Sequence, residues 1–171
     1  MGDNHPVWDV YDQLRTVRLN AKYYGKRLIK YERINFTTEI IVAITSSSSA
    51  VASFAFWSTE AGSQVWKVLL GISAIIAIAK PLLNLTKRIR AYEELLSGYR
   101  LLYHDLNELK IDINQAQAYT KAHRQKFLKI NEKQRTLASK SPERVENLKV
   151  LQKCQNEVLD ELPVSSFYVP E

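Results

Sequence analysis

His104, Asp105, Glu108 and Asp112 form a close-set group of side chains that could move a proton or hold a metal ion. On a helix, positions 105, 108 and 112 share one face, so three carboxylates would line up with a histidine beside them. Acid–base and metal chemistry need such groups to converge on one point, and this spacing matches no ligand pattern that a histidine completes. A stripe of acids at helical spacing reads more simply as a solvated face. No glycine-rich phosphate loop, nucleophile elbow or HExxH is present. The lone Cys154 excludes an internal disulfide and leaves no Cys/His metal spacing. No catalytic residue, metal or cofactor is therefore expected, and the chain is read as a non-enzyme.

The second chemically suggestive group is a run of hydroxyls inside an apolar stretch, "AITSSSSAVASFAFW" from 43 to 57. Between Ile40 and Thr59 there is no charged residue. About twenty such residues in a helix rise roughly 30 Å, the thickness of the hydrocarbon core of a bilayer. A second run, Val65 to Thr86, is as long and more apolar, and "STEAGSQ" between them leaves room only for a tight turn. Trp57 and Trp66 bracket that turn, as an interfacial aromatic belt would. The pair reads as a transmembrane helical hairpin, against a buried helical pair in a soluble bundle. Seven cations from Arg15 to Arg33 precede the first run, and Lys87, Arg88 and Arg90 follow the second. The positive-inside rule then puts both termini in the cytoplasm. Met1-Gly2 does not read as a myristoylation site, since Pro6 stands where Ser or Thr is needed. A cleaved signal peptide is not expected either, because a long charged helix precedes the first run.

The hydroxyls are not scattered. At helical spacing Asn35, Thr38, Glu39, Thr45, Ser46, Ser49 and Ser53 fall within an arc of about 120°. On the second run Ser73, Ala77, Lys80, Asn84 and Lys87 form another polar or small stripe. Such stripes should face protein or water rather than lipid. Two accounts stay open: close helix packing, or a water-lined conduit built when several hairpins assemble. In the second account Thr38, Glu39, Thr45, Ser46, Ser49, Ser53 and Lys80 line the pore. Lys80 either snorkels to the headgroups, pairs with Glu39 or serves as a gate.

These features need elements to hold them, and the sequence supplies long helices. Val7, Val10, Leu14, Val17, Ala21, Tyr24, Leu28 and Tyr31 keep a 3-4 spacing throughout, a heptad seam leading into the first run. Ile89, Tyr92, Leu96, Tyr99, Tyr103, Leu106 and Ile113 continue similarly, with Leu109 replacing Lys110. The helical pattern persists to about Leu137. Ser141 can then cap a last helix, with Pro142 in its first position and Glu143 at its N-terminus, running to about Leu162. The expected fold is an all-α membrane protein. It divides into an amphipathic N-terminal helix (1–33), a transmembrane hairpin (34–86), a long cytoplasmic helix antiparallel to the first (87–140), and a C-terminal helix and tail packed back (141–171).

The distal region is basic, with Lys121, Arg124, Lys126, Lys129, Lys133 and Arg135 as its first six cations. A solvated face is the plain reading. A one-signed excess also suits a phosphate-bearing ligand, a nucleotide or oligonucleotide, or anionic lipid if the region folds back.

The arrangement resembles the SLATT family, two-transmembrane effectors found beside bacterial nucleotide-polymerising enzymes. The matching features are the Arg/Tyr-rich helix "VYDQLRTVRLNAKYYGKRLIKYERIN", two runs with a short turn, and the helix "LTKRIRAYEELLSGYRLLYHDL" that follows, together covering about residues 7 to 135. The resemblance implies a pore-forming effector of antiphage defence in the bacterial inner membrane. It implies a homo-oligomer, control by a nucleotide or short single-stranded oligonucleotide, and a nucleotidyltransferase as functional partner. A scaffold of another class, a membrane-anchored protein whose arms recruit a cytoplasmic partner and whose spans never conduct, fits the same helices.

Overall fold

A computed structural model describes residues 5–46 and 59–169. The described residues hold five α-helices and no strand: α1 (Val7–Ser46), α2 (Glu60–Leu83), α3 (Leu85–Ala116), α4 (Lys121–Ala138) and α5 (Leu148–Glu161), then a 3-10 turn at Val164–Ser166. The chain packs as two units, Met1–Leu28 with Arg90–Glu171, and Ile29–Ile89.

The first unit is a helical bundle whose core follows the α1 seam. Val7, Val10, Leu14, Val17, Ala21, Tyr24 and Leu28 are all buried. On α3 the buried set is Tyr92, Leu95, Tyr99, Leu102, Leu106, Leu109 and Ile113. Leu96 and Tyr103, expected in this seam, are only half-buried. The expectation assumed a two-helix seam, whereas α3 packs against α4 as well as α1, and the buried stripe turns toward both. Tyr24 stacks on Tyr99, and the Arg18 guanidinium lies 5.0 Å from the Tyr103 ring centre, which fixes α1 and α3 antiparallel.

One long helix from 87 to 137 does not form. It breaks after Ala116, where Gln117 takes the left-handed conformation (φ 48°), and Thr120 caps a new helix. The Thr120 hydroxyl accepts from the His123 amide while His123 Nδ1 accepts from the Thr120 amide, a reciprocal cap with histidine in the usual Glu position. The apolar spacing continues across this break, which hid it. α4 therefore folds back antiparallel on α3. Lys126 meets Asp112 at 2.6 Å, Lys133 meets Asp105 at 2.8 Å and Lys140 meets Glu94 at 2.5 Å. Asp105 and Asp112 are thus ion-pair partners of α4 rather than members of a merely solvated stripe.

The last helix also starts later than expected. Asn147 caps it, its Oδ1 accepting from the Val150 amide at 3.1 Å, so Ser141, Pro142 and Glu143 belong to the preceding connection. α5 packs antiparallel on α1. Arg18 and Lys22 meet Glu161, Lys26 meets Glu157, and Arg15 donates twice to the Leu162 carbonyl. The tail closes the bundle by stacking Phe167 on Tyr11, ring centres 4.3 Å apart.

The second unit contains the end of α1 and all of α2, running antiparallel. The Thr45 and Ser73 hydroxyls are 2.6 Å apart, and Arg88 donates to the Tyr31 hydroxyl at 3.4 Å. Thr59 caps α2 by accepting from the Gly62 amide. The second apolar run is not one helix to Thr86: Asn84 turns left-handed (φ 46°), a conformation that Asn tolerates, and α3 begins at once. By length and hydropathy Glu60–Ala79 is the one candidate membrane span among the described residues, with mean hydropathy 1.6 and only 6% of it buried. Val68, Ile75 and Ile78 are 60%, 68% and 69% exposed. The first apolar run lies mostly at 47–58, outside the described residues.

Candidate functional site

A buried polar cluster in the bundle unit was not foreseen. Glu143, in the connection between α4 and α5, turns its side chain into the bundle, where it is 8% exposed. Arg27 Nε donates to Oε1 at 2.5 Å, the Tyr92 hydroxyl donates to the same oxygen, and the Tyr23 hydroxyl donates to Oε2. One carboxylate thus joins α1, through Tyr23 and Arg27, to α3, through Tyr92. The cluster continues outward: Tyr23 also accepts from the Asn147 amide, and Tyr24 donates to the Ser141 hydroxyl. Burial pushes the Glu143 carboxyl up, but the bonds from Tyr23, Tyr92 and Arg27 outweigh it and hold the group below its usual range. Burial, reinforced by Glu143, pushes Tyr23 up to about 12. An ionised carboxylate whose donors are protein groups is a clamp, not a general acid or base. The signal in the sequence was Tyr24 and Tyr92 on the two seams, with Tyr23 beside the first. What concealed Glu143 was its place after Ser-Pro, which reads as a helix start.

The residues expected to line a pore fall in several environments. Thr45 is 8% exposed and faces Ser73 of the same hairpin. Thr38 is half-buried and donates to the Asn35 carbonyl, and Glu39 is exposed and accepts from Asn35 at 3.0 Å. Ser49 and Ser53 lie outside the described residues. Ser46 ends α1 and Lys80 lies within α2; their side chains, and with them a Glu39–Lys80 pair, lie outside what is described.

The six cations expected to bind a ligand do not converge. Lys126, Lys129 and Lys133 border a cleft of about 280 Å³ against Asp105 and Glu108 of α3, and Lys126 and Lys133 are already paired there. Lys121 and Arg124 border another cleft of about 540 Å³ with Asp9 and Tyr119. Arg135 borders a third, of about 600 Å³, with Gln13, Asn131 and Gln134. The last two clefts share Leu128 and open on the α1 side of α4. Among the described residues Lys121, Arg124 and Arg135 form no ion pair, and no group of three metal-ligating side chains is assembled. Cys154 is buried, and burial pushes its thiol up, which keeps it protonated and unreactive.

No family model matches the chain, and neither does any curated protein or solved structure.

Proposed function

We propose that this chain is a membrane effector of the kind its resemblance implies. In this reading α2 and the apolar run before it cross the bacterial inner membrane with both termini cytoplasmic. Copies assemble into an oligomeric channel, and the helical bundle controls whether it conducts. The observation that supports it best is α2 itself: an apolar helix of bilayer length that the described residues leave largely uncovered, joined to a unit with a core of its own. In water such a surface would drive association at about 25 cal/mol per Å², whereas lipid removes the cost.

Thr45 favours a second reading. Its bond to Ser73 is what simple packing of the hairpin requires, and packing suffices for a non-conducting anchor that recruits a cytoplasmic partner. The two part company at Ser46, Ser49 and Ser53. In liposomes, Ser46→Leu and Ser49→Leu should abolish ion flux without lowering insertion if those hydroxyls line a lumen. One hairpin encloses no lumen, so conduction needs several copies. Protein that stays monomeric in mild detergent removes the channel and leaves the anchor.

Control by a nucleotide or short single-stranded oligonucleotide, made by a nucleotidyltransferase partner, is part of the same proposal. At 100° per residue Lys121, Arg124 and Arg135 fall on one side of α4, with Lys126, Lys129 and Lys133 on another. The α1 side supports the ligand better, because its cations keep their charge available. Lys121→Glu with Arg124→Glu should weaken oligonucleotide binding and flatten its salt dependence by about two phosphate contacts. Lys126→Glu with Lys133→Glu should chiefly disturb the α3–α4 pairing. Titration of short oligonucleotides at two salt concentrations separates these outcomes.

A further inference from the structure

Val145 and Leu148 are the most exposed large apolar side chains among the described residues, at 82% and 74%. Both exceed Ile75 and Ile78 of the candidate span, at 68% and 69%. Val145 stands in the connection into α5 and Leu148 opens that helix, both in the polar bundle unit, and none of the described residues covers them. This is not a loosely tethered loop. Glu143, two residues before Val145, is fixed by Arg27, Tyr23 and Tyr92, and Asn147, two residues after it, donates its amide to Tyr23. Val145 is thus held outward between two anchored neighbours.

The charge around the pair selects its partner. Arg144, Lys149 and Lys153 are exposed and form no ion pair among the described residues. Glu146 is the one exposed carboxylate between Ser141 and Lys153, since the clamp consumes Glu143. Aliphatic side chains among cations are what an anionic bilayer surface binds: phosphates meet the cations while the apolar tips enter the headgroup layer. Chain connectivity agrees. Tyr92 of the clamp is nine positions along the chain from Leu83, the end of α2, so at most about 30 Å of extended chain joins them.

We propose that the segment from Lys140 to Lys149 docks on the anionic lipid surface, with Val145 and Leu148 in the headgroup layer and Arg144 and Lys149 on lipid phosphates. The proposal rests on α2 spanning the bilayer, and its test separates the two. Full-length protein carrying Val145→Cys, with a bimane label, is placed in nanodiscs of phosphatidylcholine alone or mixed with phosphatidylglycerol. Brominated lipids serve as quenchers. Cys154, fully buried, does not compete for label. Ile75→Cys reports insertion of α2, and Gln125→Cys, exposed on α4, sets the solvent baseline.

Quenching at Val145 should exceed the Gln125 baseline severalfold in anionic discs and fall with salt. Arg144→Glu and Lys149→Glu should each weaken it about fivefold. Glu143→Gln, which loosens the clamp, should lower it while Ile75 stays quenched. Quenching at Ile75 with only baseline signal at Val145 overturns the docking and leaves the membrane reading standing. Equal quenching in both lipids overturns the role of the charges. A Val145 label already shielded in detergent assigns the patch to a second copy of the chain instead. If neither label is quenched, both readings fall.

Discussion

Glu143 joins α1 and α3 through three side-chain partners, Tyr23, Arg27 and Tyr92. Removing one partner of a buried ion pair typically costs about 3–5 kcal/mol, because the other charge is left uncompensated. With Arg27 only 12% exposed beside it, Glu143→Gln should lower unfolding stability by that order, read by urea denaturation of the detergent-solubilised protein. Tyr92→Phe removes a single bond to the carboxylate and should cost about 1.5–3 kcal/mol. The pH dependence follows from the same contacts. The folded carboxyl is held below its usual range, so its contribution is complete above the unfolded value and is lost as pH falls through the folded one. The tyrosines act at the other end. Tyr23 and Tyr99 are pushed up to about 12, so stability should persist to pH 10, the ordinary tyrosine value, and decline from there toward 12. Thr45→Val is a milder case: it removes one interhelical hydroxyl bond within the hairpin, a loss of about 0.6 kcal/mol. It should therefore leave flux unchanged, where Ser49→Leu should not.

Between helices, Gly98 marks a close approach of α3 and α4. A Cβ built there would lie 2.7 Å from both terminal carbons of Leu137, so any larger side chain on α3 must displace the end of that leucine. Gly98→Val should destabilise the bundle by about 1–3 kcal/mol, the usual cost of overpacking. Leu137→Ala in the same chain should recover much of that, as a double-mutant cycle would show. What the sequence disclosed of the elements tracks this geometry. The α1 seam was legible from Val7 to Leu28, because a 3-4 spacing of large apolar side chains has one solution on a helix, but Tyr31 is only half-buried and the buried Tyr11 and Tyr23 lie off that spacing. The break at Gln117 was not, because it rests on a left-handed Gln and a histidine cap, neither of which has a strong local signature. The ion pairs of Lys126 and Lys133 were equally hidden. They exist only because the chain reverses at that break, and a basic helix read in isolation looks unpaired. Glu143 was read as a helix start after Ser-Pro, and its partners, 120, 116 and 51 residues away along the chain, gave no local sign of the clamp.

At the scale of the whole molecule, the segregation of apolar and charged residues determines what the chain can do. The bundle unit buries its own apolar seams, whereas the apolar side chains of α2 stay largely exposed. An uncovered helix of that length is consistent with a lipid environment, and the cations flanking the two apolar runs, Arg33 and Lys30 on one side and Lys87, Arg88 and Arg90 on the other, set the expected orientation. Ala61, exposed in the first turn of α2, should then face the periplasm. In intact cells an Ala61→Cys variant should react with a membrane-impermeant maleimide, whereas Gln125→Cys should react only after lysis. Cys154, buried in the bundle, contributes no background. Labelling of both positions only after lysis, together with release of the protein by alkaline carbonate, would show that α2 is covered by other copies in a soluble assembly. The channel, the anchor and the docking of the Lys140–Lys149 segment would then fall together, since each depends on a bilayer at α2.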